Sequence, residues 1–131
     1  MKAAPPDTAR HRTATQSAWD VLLSVLGLGI WAGHFAVIYA ANSVACERGL
    51  AQEQLLGLPW VVTMVGGATL VSLAALALIL RAALPGLPRP LYESGETEPR
   101  FSRWLAAATA AFAALAVVFE TVPALVLPPC G

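Results

Sequence analysis

The sequence predicts an all-α integral membrane protein, a three-helix bundle with its N-terminus inside the cell and its C-terminus outside. Three apolar stretches, residues 21–41, 59–80 and 104–127, are each long enough to cross a bilayer. A helix rises about 1.5 Å per residue, so each stretch covers about 30 Å of hydrocarbon. Because 57% of the 131 residues are hydrophobic and only 12% are charged, lipid must cover most of the chain.

The basic residues set the expected orientation. Seven of the eight lie in the N-terminal tail or between the second and third stretches, and only Arg48 lies between the first and second. The positive-inside rule therefore places the N-terminus and the second connection in the cytoplasm. The first stretch is longer than the apolar core of a signal peptide, so we expect an uncleaved helix.

The chain divides into a tail and one membrane domain. Residues 1–16 include two prolines and show no apolar periodicity, which favours a disordered cytoplasmic tail. Residues 17–131 form a single transmembrane domain, in which the proline-rich segment 82–102 is expected to be a cytoplasmic loop. The expected spans of this domain are residues 18–41, 59–81 and 103–127.

Small residues predict where the helices approach one another. Membrane helices gain little from burying leucine and associate through close backbone contact. Gly29 and Gly33 form a G-x-x-x-G pattern on the first span, and alanines repeat at helical spacing on the third. We therefore expect helix packing through these two glycines, although glycine and alanine are also frequent in the sequence as a whole.

Two ionisable residues lie inside the predicted membrane spans. His34 and Glu120 are each about 16 residues from the start of a span that runs outward, so they reach nearly the same depth. A carboxylate alone in hydrocarbon is protonated or paired, and an imidazole suits it as a partner. The pair is either a proton-conducting, metal-binding or partner-contacting site, or an interhelical hydrogen bond that fixes the packing. Haem ligation by His34 is disfavoured because no second histidine lies within the spans.

A second polar pair is expected at the inner face. Asp20 of the first span and Arg103 of the third are each close to a helix start, so both lie near the cytoplasmic surface. An ion pair between them would have a structural role.

The two cysteines, Cys46 and Cys130, each follow a span that ends on the outer side. In an oxidising compartment they are expected to form a disulfide between the ends of two helices. The alternative is a soft metal such as Cu(I), held by the thiolates with His34 or Met64. The sequence lacks a C-x-x-C motif, which favours the disulfide.

Two runs carry a resemblance to known proteins. They are residues 31–39, which read Trp-Ala-Gly-His-Phe-Ala-Val-Ile-Tyr and are followed by Cys46, and residues 120–130, from Glu120 to Cys130. These runs resemble small three-span membrane proteins encoded in bacterial haem-copper cytochrome c oxidase gene clusters. The resemblance implies a multi-pass protein of the bacterial inner membrane and assigns no role to His34 or Glu120.

The function implied by this resemblance is that of an accessory subunit or assembly factor of a terminal oxidase, contacting larger membrane subunits through its helices. The alternative is a stand-alone homo-oligomer of transporter or structural type. The sequence shows no nucleophile, metal triad or nucleotide loop, so we expect no enzyme activity, no cofactor and no metal. Scattered basic residues balanced by glutamates also disfavour nucleic-acid binding.

Overall fold

The computed structural model describes residues 7–86, 98–128 and 130, with side chains for residues 18–19, 21–85, 101–128 and 130. The described chain is helical apart from one small hairpin. Its elements are α1 (Asp7–Glu47), a 3-10 turn (Leu50–Gln52), β1 (Gln54–Leu55), β2 (Leu58–Pro59), α2 (Trp60–Ala83), a 3-10 turn (Leu84–Gly86) and α3 (Glu98–Val126).

Three helices in the described residues are long and apolar enough to cross a membrane. The spanning segments are Val21–Glu47, Trp60–Ala83 and Phe101–Val126, with mean hydropathies of 2.1, 2.1 and 2.0. At most 28% of each segment's apolar window is buried inside the bundle, so most of the apolar surface faces outward. This confirms the prediction of a multi-pass membrane protein and is consistent with a three-helix bundle.

The first helix begins earlier than predicted. The chain is already helical at Asp7, so residues 7–16 differ from the expected disordered tail, whose first six residues lie outside the described residues. Residues 7–26 contain neither glycine nor proline, and adding a residue to an existing helix requires no new nucleation. At 41 residues, α1 is about 60 Å long and extends well beyond a bilayer core of about 30 Å.

The loop expected over residues 82–102 is shorter at both ends. α2 and the following 3-10 turn continue to Gly86, and α3 already begins at Glu98. The segment between them, residues 87–97, lies outside the described residues.

Small and branched side chains fill the middle of the bundle. The central cluster consists of buried residues from α2 and α3, and α1 packs Leu23 and Ile30 against it. Alanines of the third helix allow close approach, because a methyl side chain keeps two backbones near each other. The members of the central cluster are Leu76, Ile79, Ala110, Ala113 and Val117.

The predicted packing through Gly29 and Gly33 is wrong for contacts within the bundle. No atom lies within 4 Å of a methyl group built at either position, and both residues are exposed. The glycine at the α1–α3 contact is Gly27, where the built methyl group lies 3.8 Å from the Ala110 backbone. The side of α1 that packs against the other helices carries Gly27 and the buried His34, and Gly29 and Gly33 lie on a different side.

The connection between α1 and α2 is folded rather than extended. β1 and β2 form an antiparallel hairpin whose two turn residues, Leu56 and Gly57, have φ angles of +58° and +79°. The Trp60 amide donates to the Glu53 carbonyl, which closes the hairpin onto the start of α2. Leu56 is 89% exposed at the tip.

A disulfide joins Cys46 near the end of α1 to Cys130 beyond the end of α3, with a Cα–Cα distance of 5.6 Å. The predicted pairing is thus confirmed. We call this the disulfide end of the bundle. The hairpin lies at the same end, because it connects the end of α1 to the start of α2.

Candidate functional site

His34 is buried in the middle of the bundle. Its side chain has no exposed surface, although the residue belongs to the polar class and lies on a membrane-spanning helix. The Nε2 atom is 3.0 Å from the hydroxyl oxygen of Thr69 on α2. This contact turns the imidazole away from lipid and fixes one of its two ring nitrogens.

Two threonines extend this contact to the third helix. The hydroxyl oxygens of Thr69 and Thr121 are 3.0 Å apart. Each hydroxyl also donates to a carbonyl one turn earlier in its own helix, Thr69 to Val65 at 2.8 Å and Thr121 to Val117 at 2.7 Å. A threonine can satisfy its hydroxyl in this way within a helix, which makes it tolerable inside a membrane.

Glu120 reaches His34 from the other side. Its Oε2 atom is 3.6 Å from Nδ1 of the imidazole, and its Oε1 atom accepts a 2.8 Å hydrogen bond from the indole N–H of Trp31. The structure therefore brings together the two ionisable residues that were expected at one depth. We call the set of Trp31, His34, Thr69, Glu120 and Thr121 the polar cluster.

One contact of the polar cluster is incomplete. Nδ1 of His34 and Oε2 of Glu120 are buried, and neither has a hydrogen-bond partner. At 3.6 Å the two atoms face each other just beyond hydrogen-bonding distance. An unsatisfied polar atom in an apolar interior is costly, so this facing pair is the part of the cluster that requires explanation.

A groove between α1 and α3 leads to this point. It has a volume of about 430 Å³ and lies between the polar cluster and the disulfide end. The Glu120 side chain is 22% exposed and lines it, together with Tyr39, Asn42 and Ser43. A second groove of about 390 Å³ lies on the other side of Trp31, beside Leu28 and Phe112.

The remaining candidates take different positions. The side chain of Asp20 lies outside the described residues, so its pairing with Arg103 stays a prediction. Arg103 itself is partly buried and takes part in an interaction. Because Cys46 and Cys130 are joined, their sulfurs are not available as thiolate ligands for a soft metal. Among the described residues there is no group of three or more His, Cys, Asp or Glu that would hold a metal ion.

Sequence reasoning identified two members of the polar cluster and missed three. Trp31 lies one turn before His34 on the same helix face, and Thr121 follows Glu120 directly, so both were accessible from spacing. Thr69 gave no comparable signal, because its contact depends on how α2 is rotated about its axis.

No protein-family model, no curated protein and no solved structure matches this chain. Its function therefore has to be inferred from the residues themselves.

Proposed function

We propose that this protein is an accessory subunit or assembly factor of a bacterial haem-copper oxidase, acting through helix contacts within the bacterial inner membrane. In this proposal it is not an enzyme, and it binds neither nucleic acid nor a cofactor of its own. Its partners are the lipid bilayer and the larger oxidase subunits.

The observation that carries this proposal is a seven-residue repeat of apolar side chains along the outside of α3. Phe112 is 73% exposed, Phe119 68% and Val126 75%, and Leu105 continues the series by one more heptad. A repeat of seven places side chains in a straight row against a second helix that crosses at a shallow angle. We call these four residues the α3 stripe.

The resemblance to proteins of oxidase gene clusters supports the choice of partner. It rests on residues 31–39 and 120–130, which belong to α1 and to the end of α3. These are also the segments that supply the Trp31–Glu120 hydrogen bond and the disulfide. The resemblance thus falls on residues that depend on one another in the fold rather than on a general apolar composition.

The proposed orientation has the N-terminus inside and the disulfide end outside. The distribution of basic residues supports it, since only Arg48 lies at the disulfide end. The disulfide supports it independently, because such bonds persist on the oxidising side of a bacterial membrane.

The test is purification of the tagged protein from its own organism in a mild detergent, with mass spectrometry and an optical spectrum for haem. Oxidase subunits in near-equal amounts with a haem a signal would establish an accessory subunit, and small transient amounts would establish an assembly factor. The α3-stripe variant Phe112→Ala with Phe119→Ala is expected to lose the partner. The control Leu70→Ala with Val71→Ala changes two α2 residues that are 72% and 71% exposed, and it should retain the partner.

A stand-alone homo-oligomer is the second candidate, and one observation favours it. Gly29 and Gly33 present a small-residue surface that no part of the described bundle covers. Such a surface suits close contact with a second copy of α1. Purification that yields only copies of this chain, together with their dissociation in Gly29→Leu, would establish this candidate and exclude the first.

A further inference from the structure

We propose that His34 and Glu120 form a binding site for one proton, which enters and leaves through the groove at the disulfide end. This inference goes beyond the proposed function, since it concerns the bundle alone and holds with or without an oxidase partner.

The first step is to count the hydrogens around Thr69. Its hydroxyl has a single hydrogen, which is donated to the Val65 carbonyl at 2.8 Å. With that hydrogen on Val65, Thr69 accepts from Nε2 of His34 at 3.0 Å, and we take Nε2 to carry a hydrogen. In a neutral imidazole the other nitrogen, Nδ1, is then an acceptor.

The second step concerns the atom that Nδ1 faces. With Nδ1 an acceptor and Glu120 ionised, two lone-pair atoms would oppose each other 3.6 Å apart without any partner in a buried, apolar place. One proton between them removes this conflict. It lies either on Oε2, which then donates to Nδ1, or on Nδ1, which then donates to the carboxylate; both forms carry no net charge.

The third step is the exchange of that proton. Oε2 is buried, but part of the Glu120 side chain lines the groove of about 430 Å³ beside Asn42 and Ser43. Rotation of the carboxyl group would turn Oε2 from His34 toward this groove and would at the same time move Oε1 away from the Trp31 indole N–H, to which it is hydrogen-bonded at 2.8 Å. Release of the proton in the groove leaves a neutral imidazole and a carboxylate that is hydrogen-bonded to water there.

The neighbours of the pair do not compete for the proton. The polar groups that contact it are Trp31 from α1, Thr69 from α2 and, next to Thr69, Thr121 from α3, and all three are uncharged. Tyr39 lines the same groove nearer the disulfide end. The described residues place no charged side chain against His34 or Glu120 other than each other.

The experiment uses dicyclohexylcarbodiimide, a lipid-soluble reagent that modifies protonated carboxyl groups, on the full chain in phosphatidylcholine vesicles. Mass spectrometry locates the adduct. We expect Glu120 to react about tenfold faster than Glu53, which is exposed and lies beside the hairpin, outside the spanning segments. The adduct should be absent from Glu120→Gln, and its rate should fall as the pH rises.

Two variants test the role of His34 and the route of the proton through the groove. His34→Leu removes the base that shares the proton, so the proton must lie on Glu120 alone and labelling should be at least as fast as in the native protein. Leu127→Trp narrows the groove and should slow labelling about tenfold, because an indole fills much of a space of this size. Its matched control is Leu28→Trp, another exposed leucine, which lines the second groove.

The outcomes are distinct from those of the partner experiment. Reaction of Glu120 with the pH profile of Glu53, or its failure to react in both the native protein and His34→Leu, would overturn the proton site. Equal slowing by Leu127→Trp and Leu28→Trp would overturn the route. If His34→Leu does not fold, the comparison of Glu120 with Glu53 in the native protein decides alone.

Discussion

Thr69 connects all three helices through one hydroxyl group. It is hydrogen-bonded to His34 of α1, contacts Thr121 of α3 and donates to its own backbone on α2. A single oxygen atom with three partners cannot be replaced by an apolar group without leaving at least one buried polar atom unsatisfied. The residue therefore fixes the rotation of α2 relative to the other two helices.

Thr69→Val should destabilise the bundle by about 1 kcal/mol, the size of an interhelical hydrogen bond in a membrane, because the shape is kept and the hydroxyl is lost. The measurement is unfolding in detergent. The control is Thr109→Val, whose hydroxyl donates to the Leu105 carbonyl of its own helix at 2.7 Å. Similar losses for both variants would show that Thr69 has no role between helices.

His34 and Glu120 should be energetically coupled. We expect a double-mutant cycle of His34→Ala and Glu120→Ala to show a coupling energy of about 0.5 kcal/mol or more, since each group provides the partner for the other. Strict additivity of the two single changes would contradict a direct interaction.

The depth of His34 and Glu120 in the bundle could be predicted, but the rotation of each helix about its own axis could not. Counting residues from the start of each span places His34 and Glu120 at one level, and the structure has them 3.6 Å apart. The same counting gives no information on which side of α2 faces the pair. Thr69 was missed for this reason, and Gly29 and Gly33 were assigned to a helix contact that Gly27 makes.

At the scale of elements, the contact between α1 and α3 depends on Gly27. A methyl group there would already be in van der Waals contact with the Ala110 backbone, at 3.8 Å. A larger side chain must push the helices apart. Gly29 lies two residues further along α1 and faces outward, and no atom lies within 4 Å of a methyl group built on it.

Gly27→Leu should therefore cost about 1 to 3 kcal/mol of bundle stability, the range for overpacking a close contact, and Gly29→Leu should cost little. Thermal unfolding of the two purified variants in one detergent compares them directly. An equal loss for both variants would mean that α1 and α3 do not make their close contact at Gly27 and Ala110.

The hairpin between β1 and β2 contains a leucine where the backbone favours another residue. Leu56 has a φ of +58°, in the left-handed region, and Gly57 has +79°. Two-residue turns with positive φ at both positions prefer Asn-Gly, because a branched aliphatic side chain is strained there.

Leu56→Asn should stabilise the hairpin by about 1 kcal/mol through relief of this strain. The expected result is slower amide exchange of residues 53–60, which form the hairpin and its flanks. Leu55→Asn, on the neighbouring strand residue, is the control and should give no increase. A lower stability for Leu56→Asn would mean that the exposed leucine makes a favourable contact with lipid.

At the scale of the whole molecule, the disulfide constrains the two helices that carry the polar cluster. It closes a loop with a sequence separation of 84 residues, and it lies beyond the groove that reaches Glu120. Loosening this end would allow α1 and α3 to separate along the groove.

Cys46→Ser with Cys130→Ser should lower stability by up to about 4.6 kcal/mol, the loop-entropy value for a chain of this separation. Spans that stay in lipid when unfolded lose less entropy on folding, so the measured value should be smaller. Thermal unfolding of the native protein before and after reduction gives the same comparison. The native protein should show no free thiol until it is reduced, and complete alkylation without a reductant would contradict the bond.

The architecture followed from the sequence because lipid imposes simple rules on length and hydropathy. The three spans and the Cys46–Cys130 pairing could be predicted from runs of apolar residues and from the alternation of sides. The helical extension back to Asp7 could not, because lipid imposes no pattern on residues outside it. The two prolines and the lack of apolar periodicity in residues 1–16 led instead to the prediction of a disordered tail.

The position of the disulfide also determines when the protein can be completed during biosynthesis. Cys46 lies near the end of the first helix, but its partner Cys130 lies beyond the third, so the bond cannot form until the chain has been synthesised past all three helices. Oxidation of this pair therefore marks a chain in which the first and third helices have come together. A pulse-chase experiment that follows the mobility of the chain with and without reductant would time this step of assembly.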